Sequence, residues 1–526
     1  MPVGKPPSRY LRLASPCYSW YRMTRYLPRR TFFQLCSAGA AFLAGRAVPQ
    51  AQAAPQPNRR AVRNRKNFVA IQVKAHAWLD EGIEPLLDNL QKANVNTVWA
   101  YTYDWEMGPR NTPSSGIPLP DHGKYGDPRF SGGAFYDYDP KYFRGALLND
   151  FRSPDFGKFN VITEVAPKVK ARGMDFFCWD YNNESRRMIQ NLPGAARVTE
   201  IDMDGRRTIS PCFNHPEYRA HLTGRIESYL SGYPAQVDGI AWGCERQGPF
   251  QNAIGGGWTS EGISCFCEHC RAKARERGVS ADRAQTGYRL LTQLFRAASQ
   301  DQRPVDGYFV SFWRLLLDYP EILGWEKLWT DSYHEVRSEL YGVAKSIAPA
   351  KPFGLHIMQN MTFSPFYRAE EDYSRTKDYA DYLKIATYNN AGGPRMAAYL
   401  DRLSATLFHD ASPKDFLPFY YKIMNYQEGA YEDLHTTGLS ADYVARETKR
   451  ALAGVAGQTK IYPGIDIDVP TRATDKRTKP DDVRRSLHAA FDAGADGVVL
   501  AREYVEMWLA NLSAAGETLG QIFAQR

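Results

Sequence analysis

The sequence predicts a (β/α)8 TIM barrel, a closed ring of eight parallel strands wrapped by helices. Two observations predict it. From Phe68 onward, short apolar, β-branched or aromatic runs alternate with amphipathic segments, the pattern of parallel strands joined by crossover helices. Eight such runs can be counted, and eight βα units close a ring.

The strands are expected at 68–78 (FVAIQVKAHAW), 95–105 (VNTVWAYTYDW), 174–183 (MDFFCWDYNN), 237–245 (VDGIAWGCE), 351–360 (KPFGLHIMQN), 382–390 (YLKIATYNN), 459–469 (TKIYPGIDIDV) and 495–503 (ADGVVLARE). Helical patterns lie between them, such as IEPLLDNLQKAN, PEYRAHLTGRIESYL and PDDVRRSLHAAFDAG. At 526 residues the chain far exceeds the ~250 of a minimal barrel. The surplus falls in loops after the second, fourth and sixth strands. It includes a Gly- and Pro-rich stretch near 108–133 and a mostly helical insertion from about 269 to 345. With no internal repeat and no second core pattern, one elaborated domain is expected.

The net charge of +8 equals the contribution of the first 53 residues, which hold eight Lys and Arg and no Asp or Glu. The rest of the chain therefore lacks the basic footprint of a nucleic-acid binder. That leader carries Arg29-Arg30, a short apolar run and an Ala51-Gln52-Ala53 pattern, the features of a twin-arginine signal peptide. The apolar run, Leu35 to Ala44, is far shorter than the ~20 residues of a spanning helix, so no stable membrane anchor is expected. The organisation read from the sequence is a signal peptide at 1–53, a basic linker at 54–66 and the barrel at 67–526. Its expected partner is the twin-arginine export machinery, and its expected location is periplasmic or extracellular, reached in the folded state.

Barrel chemistry sits at the carboxyl ends of the strands. There the sequence offers His76 and Trp78, Tyr101, Tyr103 and Asp104, Asp180 and Asn182, Trp242 and Glu245, His356 and Asn360, Tyr388 and Asn389, Asp466 and Asp468, then Arg502 and Glu503. Carboxylates, amides and flat rings around one pocket suit a carbohydrate, which needs hydroxyl partners, stacking faces and acid/base groups. Arg246 and Arg395, beside Gly or Pro turns, are candidates either for an acidic sugar or for fixing loops. His76 and His356 belong to no tight metal-ligand motif and are expected to meet sugar hydroxyls or to support other groups.

Cys265, Cys267 and Cys270 fall within six residues, a spacing suited to wrapping thiolates round one soft metal and too tight for relaxed disulfides between neighbours. Candidates for a fourth ligand are Cys178, in a strand, Cys244, next to Glu245, and Cys212, in a loop just before a helix.

Two segments carry a resemblance. Cys212 in RRTISPCFNHPEYR and the later Cys-x-Cys-x-x-Cys after Glu245 are similar to the cysteine-bearing loops of zinc-containing family 42 β-galactosidases. More broadly, residues 67–526 resemble clan A glycoside hydrolases, most distinctively in DGIAWGCERQGP, FSPFYRAEEDY, YNNAGGPRMAAY and DGVVLAREYVEM. The resemblance implies a structural zinc held by Cys212, Cys265, Cys267 and Cys270, with no organic cofactor. It also implies an acid/base role for Glu245 at the end of the fourth strand, with a raised pKa to which Trp242 contributes by desolvation. The sequence departs from the clan by placing Cys244 where Asn usually precedes that glutamate. It departs again by offering Asp466 and Asp468, and Glu503 on the eighth strand, where the clan has a strand-seven glutamate.

The expected function is therefore an exported hydrolase that cleaves O-glycosidic bonds of an oligo- or polysaccharide with Glu245 and either Asp466 or Glu503. The alternatives are a non-catalytic glycan-binding barrel and a metal-dependent, deacetylase-like hydrolase built on His76, His356 and aspartates.

Overall fold

A computed structural model of the chain describes residues 67–105, 121–123, 130–146, 151–182, 186–192, 194–255 and 262–526. The expected signal peptide and linker, and most of the Gly- and Pro-rich loop, lie outside the described residues.

All eight expected strands form: β1 Phe68–Val73, β2 Thr97–Asp104, β3 Asp175–Tyr181, β4 Gly239–Gly243, β5 Phe353–Ile357, β6 Tyr382–Ala386, β7 Lys460–Asp466 and β8 Gly497–Glu503. They pair in parallel in sequence order. The ring closes because β1 pairs with β2 on one side (Ala70 opposite Thr97) and with β8 on the other (Phe68 opposite Gly497). The fold is the predicted (β/α)8 TIM barrel. Most strands stop several residues before the sequence suggests, because the chain turns into a helix or loop once the ladder ends. His76, for example, precedes a short helix, Ala77–Asp80, instead of extending β1.

Alternation along each strand sends one set of side chains inward and the other toward the helices. The inner set is strongly aromatic: Phe68, Trp99, Tyr101, Phe177, Trp179, Tyr181, Tyr382 and Tyr462 fill the ring with the smaller Ala70, Ala241 and Val499. Phe68 stacks on Tyr462 at 4.1 Å and Trp99 on Trp179 at 5.4 Å. This crowding dictates Gly354 on β5, where a Cβ would lie 2.1 Å from the Tyr382 ring. The ring is thus plugged by side chains, and functional groups can gather only at its mouth.

The insertion after β4 is helical as expected, with helices at Glu268–Glu276, Ala281–Ala298, Tyr308–Asp318 and Glu321–Ile347. Ser280 starts the second of these, its side chain accepting from the Arg283 N–H. Among the described residues no helix is long and apolar enough to cross a membrane.

The last insertion helix carries a buried acid. Glu326 accepts from the Phe250 N–H at 2.7 Å and is hydrogen-bonded to the half-buried Glu370, which takes a bond from Gln251 Nε2 at 2.9 Å. Burial raises the Glu326 carboxyl to about 7, above its ordinary 4.5. The unfolded chain then releases this proton first, so stability falls as pH rises from about 4.5 to 7. Glu326→Gln, which needs no proton, should gain on the wild type across that window, on the order of 3 kcal/mol at pH 8 and nothing at pH 4. Urea melts at the two pH values check it.

Candidate active site

Two carboxylates face the mouth of the ring from opposite strands. Glu245 follows β4 by two residues, and Glu503 ends β8, the strand opposite β4 in the closed order. Glu503 accepts from the Tyr101 hydroxyl at 2.7 Å and lies 3.7 Å from Lys74 Nζ. Lys74 itself rests on the Tyr101 ring and pairs closely with Asp104. His76, 8% exposed, sits beside this group, and its pKa falls to about 4 through burial and the Lys74 charge, partly offset by Glu503.

Glu245 belongs to a second group built from three neighbouring strands. Its Oε1 lies 2.8 Å from His356 Nε2, past β4 and on β5 respectively. His356 Nδ1 in turn lies 3.2 Å from Lys384 Nζ on β6, and that ammonium also contacts the Tyr388 hydroxyl. Burial, then Lys384, lower the His356 pKa to about 4, so the ring is neutral near pH 7. Lys384 donates to Nδ1, which leaves the proton on Nε2 to be donated to Glu245. Lys384 is fully buried, and its pKa falls to about 7 through burial, opposed by Glu245 and assisted by Arg502 and Arg395.

The expected elevation of the Glu245 pKa is not what this arrangement produces. Burial pushes it up, but His356, Lys384 and Arg395 together outweigh burial and bring it to about 2. Trp242 does not contribute, because β4 turns it outward, where its ring lies 6.1 Å from Tyr333 in the helical layer. In Lys384→Met the pKa of His356 is expected to rise from about 4 and that of Glu245 from about 2, since both lose a depressing positive charge. NMR titration of the His356 ring checks it.

The other strand-end residues divide by the face their strand gives them. Asp180 on β3 points outward, where it accepts from Arg225 Nη2 at 3.0 Å and the Tyr229 hydroxyl at 2.9 Å. Asn182 contacts the same guanidinium and donates to Asp180 at 2.6 Å. Tyr103 lies beneath that guanidinium at 3.8 Å, on the outer side of β2, after a register shift that separates it from the inward Tyr101. These three residues, expected at the substrate, instead anchor the helix Pro216–Gly232 to the ring. Breaking so deeply buried a pair is costly, so Asp180→Ala should lose about 3–5 kcal/mol in denaturant melts.

Trp78 is likewise buried in the outer core. Arg246 binds Glu200 at 2.7 Å and the Pro211 carbonyl at 2.7 Å, so it fixes a loop. Asn389 bonds the Leu439 carbonyl and the Ser486 hydroxyl, outside the ring. Asp466 faces inward, but its oxygens accept from Ala391 N–H at 2.9 Å, Val469 N–H at 3.0 Å and the Thr478 hydroxyl at 2.9 Å. It ties loops together. Asp468 pairs with Arg477 at 2.7 Å, yet burial dominates and raises it to about 8. Asn360 is buried at the start of a short helix after β5. Of the predicted residues, the site brings together Glu245, His356 and Tyr388 in one group and Glu503 with His76 in the other.

Lys74 and Lys384 are the site residues that the sequence reading passed over. The signal for Lys384 was a lysine inside the otherwise apolar and aromatic run YLKIATY. A charge buried in a central strand asks for a purpose.

The four cysteines also meet. Cys212, Cys265, Cys267 and Cys270 are all buried, with their Sγ atoms within 4.8 Å of one another, and Cys212 lies 3.6 Å from Cys267 and 3.5 Å from Cys270. Four thiolates at about 2.3 Å from one ion stand roughly 3.8 Å apart, so the cluster could hold a tetrahedral metal. The N–H of Asn214 reaches Cys212 at 3.3 Å, its side-chain amide reaches Cys270 at 3.3 Å, and the Ile201 N–H reaches Cys265 at 3.4 Å. Such donors stabilise thiolate charge. Cys178 is separately buried in the outer core, as its place within a strand suggested.

The molecule is thus a TIM barrel with two carboxylates at its mouth and a buried four-cysteine cluster beside it. Its structure is similar to a β-galactosidase from the psychrophilic Marinomonas ef1 (TM-score 0.50, 10% identity, 87% of this chain and 60% of that one). It is equally similar to a β-galactosidase from the Antarctic haloarchaeon Halorubrum lacusprofundi (TM-score 0.50, 13% identity, 87% and 58%). The chain spans about 60% of the length of these enzymes, and the likeness establishes the fold. No family model matches the sequence, and no curated protein sequence matches it.

Proposed function

We propose that this chain is a glycoside hydrolase that cleaves O-glycosidic bonds of an oligo- or polysaccharide with the pair Glu245 and Glu503. The observation that carries the reading is the placement of these two glutamates across the barrel mouth from β4 and β8, each with its own hydrogen-bonded partner. Glu245, ionised beside His356, suits attack on the anomeric carbon or activation of water. Delivery of a proton to the leaving oxygen then falls to Glu503, bonded by Tyr101. Asp466 is set aside because its oxygens are taken up by structural bonds. In the retaining course, Glu245 forms a glycosyl ester as the leaving alcohol departs with the Glu503 proton. Water, deprotonated by Glu503, then opens the ester.

A structural zinc in the cysteine cluster, and export of the folded, metal-loaded protein through the twin-arginine machinery to the periplasm or exterior, complete the reading. Folding round the metal before export protects the thiolates from oxidation. The test is proton NMR of a panel of nitrophenyl glycosides and oligosaccharides incubated with the protein. Release of a sugar, first as the retained anomer, supports the pair. Saturable binding without product from any of them would put the glycan-binding alternative in its place.

A further inference from the structure

Arg246, peptide-bonded to Glu245, makes three contacts that lead to the cysteine cluster. Its Nη1 donates at 2.7 Å to the carbonyl of Pro211, and its guanidinium lies 4.5 Å over the ring of Phe213; these two residues flank Cys212. Its Nη2 lies 2.7 Å from Glu200 Oε1, while Glu200 Oε2 accepts at 2.5 Å from the hydroxyl of Ser264, the neighbour of Cys265. Glu200 belongs to a short strand, Thr199–Ile201, whose partner strand, Arg207–Pro211, ends immediately before Cys212. That hairpin joins the cysteine loop through the Phe266 N–H to Ile201 carbonyl bond at 2.7 Å. On the other side of Glu245, the Cys244 carbonyl accepts at 2.7 Å from Tyr333, whose ring stacks on Phe213 at 5.1 Å. Glu200 and Arg246 are 3% and 6% exposed.

We infer that the four-cysteine cluster, with its metal, is a positioning device for the mouth of the barrel. By closing the loops that carry Cys212 and Cys265, it sets Glu200 and Arg246, and these hold Glu245 against His356. Glu200 and Arg246 are positioning residues that touch no substrate. The inference rests on the reading that Glu245 takes part in catalysis.

A purely structural cluster would change activity only by changing how much protein is folded. Positioning predicts a loss in fully folded protein, since a displacement of about 1 Å at a reacting group can cost up to ~100-fold in rate. The experiment compares full-length wild type, Glu200→Gln, Arg246→Lys and wild type treated with a chelator at a temperature where circular dichroism shows no unfolding. Each is assayed for metal per chain, for kcat and KM on the nitrophenyl glycoside that the wild type turns over best, and for the ring 15N shifts of His356. Expected are variants that retain their metal, kcat lowered ~10- to 100-fold with KM little changed, and a His356 Nε2 signal that loses its hydrogen-bonded position in the variants and on chelation. The NMR signature needs no substrate.

Wild-type kcat and an unmoved His356 signal in the folded variants would overturn the inference. Glu245→Gln keeps the two readings apart. If it retains full activity, the proposed function fails; if it is inactive while Glu200→Gln and Arg246→Lys turn over normally, only the positioning role fails. Should Glu200→Gln not fold, Arg246→Lys, which keeps the charge but not the fork that reaches Glu200 and Pro211 together, still decides the matter.

Discussion

Glu245→Gln should lower turnover by about 10³-fold or more while leaving the fold in place. Substituting an amide removes the negative charge that either attacks the anomeric carbon or activates water, and acid/base or nucleophilic groups of this kind are commonly worth 10²- to 10⁴-fold or more. The lowered pKa of Glu245 means that its ionised form also favours the folded state, so the variant should lose some stability at neutral pH while remaining folded. His356 Nε2 can still donate to the amide oxygen, which keeps the loop ordered. A circular dichroism spectrum like that of the wild type at the assay temperature, together with lost turnover, is the expected pair of results. Full activity in the variant would remove Glu245 from the mechanism. Because Glu245 lies near 2 and His356 near 4, the carboxylate is present across ordinary assay pH, so loss of Glu245 ionisation should not limit activity until well below pH 4.

The second large effect concerns the metal. Cys270→Ser, or removal of the ion by a chelator, should lower stability by several kcal/mol, because four buried sulfurs from two separate segments converge on one point and a metal there would tie those segments together. Metal analysis should return about one zinc per chain for the wild type and a clear loss for the variant. A melting temperature unchanged by both treatments would mean that the cysteines are simply buried thiols. The metal-dependent deacetylase-like alternative makes a different prediction. A catalytic ion at His76 and His356 would be lost from the barrel mouth without the hairpin round Cys212 loosening.

Four residues expected to face a substrate lie behind the ring for one cause. Tyr103, Asp180, Asn182 and Trp242 were chosen for their position near a strand end, but a strand end has two faces. Which face a residue takes depends on pairing partners far along the chain. On β2 the register shift against β3 turns Tyr101 inward and Tyr103 outward, and only the partner strand determines that shift. Asp180 finds its partner on a helix 45 residues away, where a carboxylate, a guanidinium and a tyrosine satisfy one another out of water.

What the sequence by itself determined is the local and the periodic. Eight runs of apolar and aromatic residues, separated by helical patterns, specify the barrel because strand and helix periods are written in neighbouring residues. The Cys-x-Cys-x-x-Cys spacing marked three sulfurs of the cluster for the same reason, while Cys212, 55 residues before Cys267, entered through the resemblance and meets them only in the fold. The tertiary structure alone decided the protonation of the site. Glu245 and His356 are 111 residues apart, and His356 and Lys384 are 28 apart; they meet only because β4, β5 and β6 are neighbours in the ring. Their electrostatics follow from that meeting. A carboxyl that its sequence context marks for a raised pKa is instead held ionised, because the His356 bond, joined by the charges of Lys384 on β6 and Arg395 in the helix that follows it, outweighs the cost of its burial.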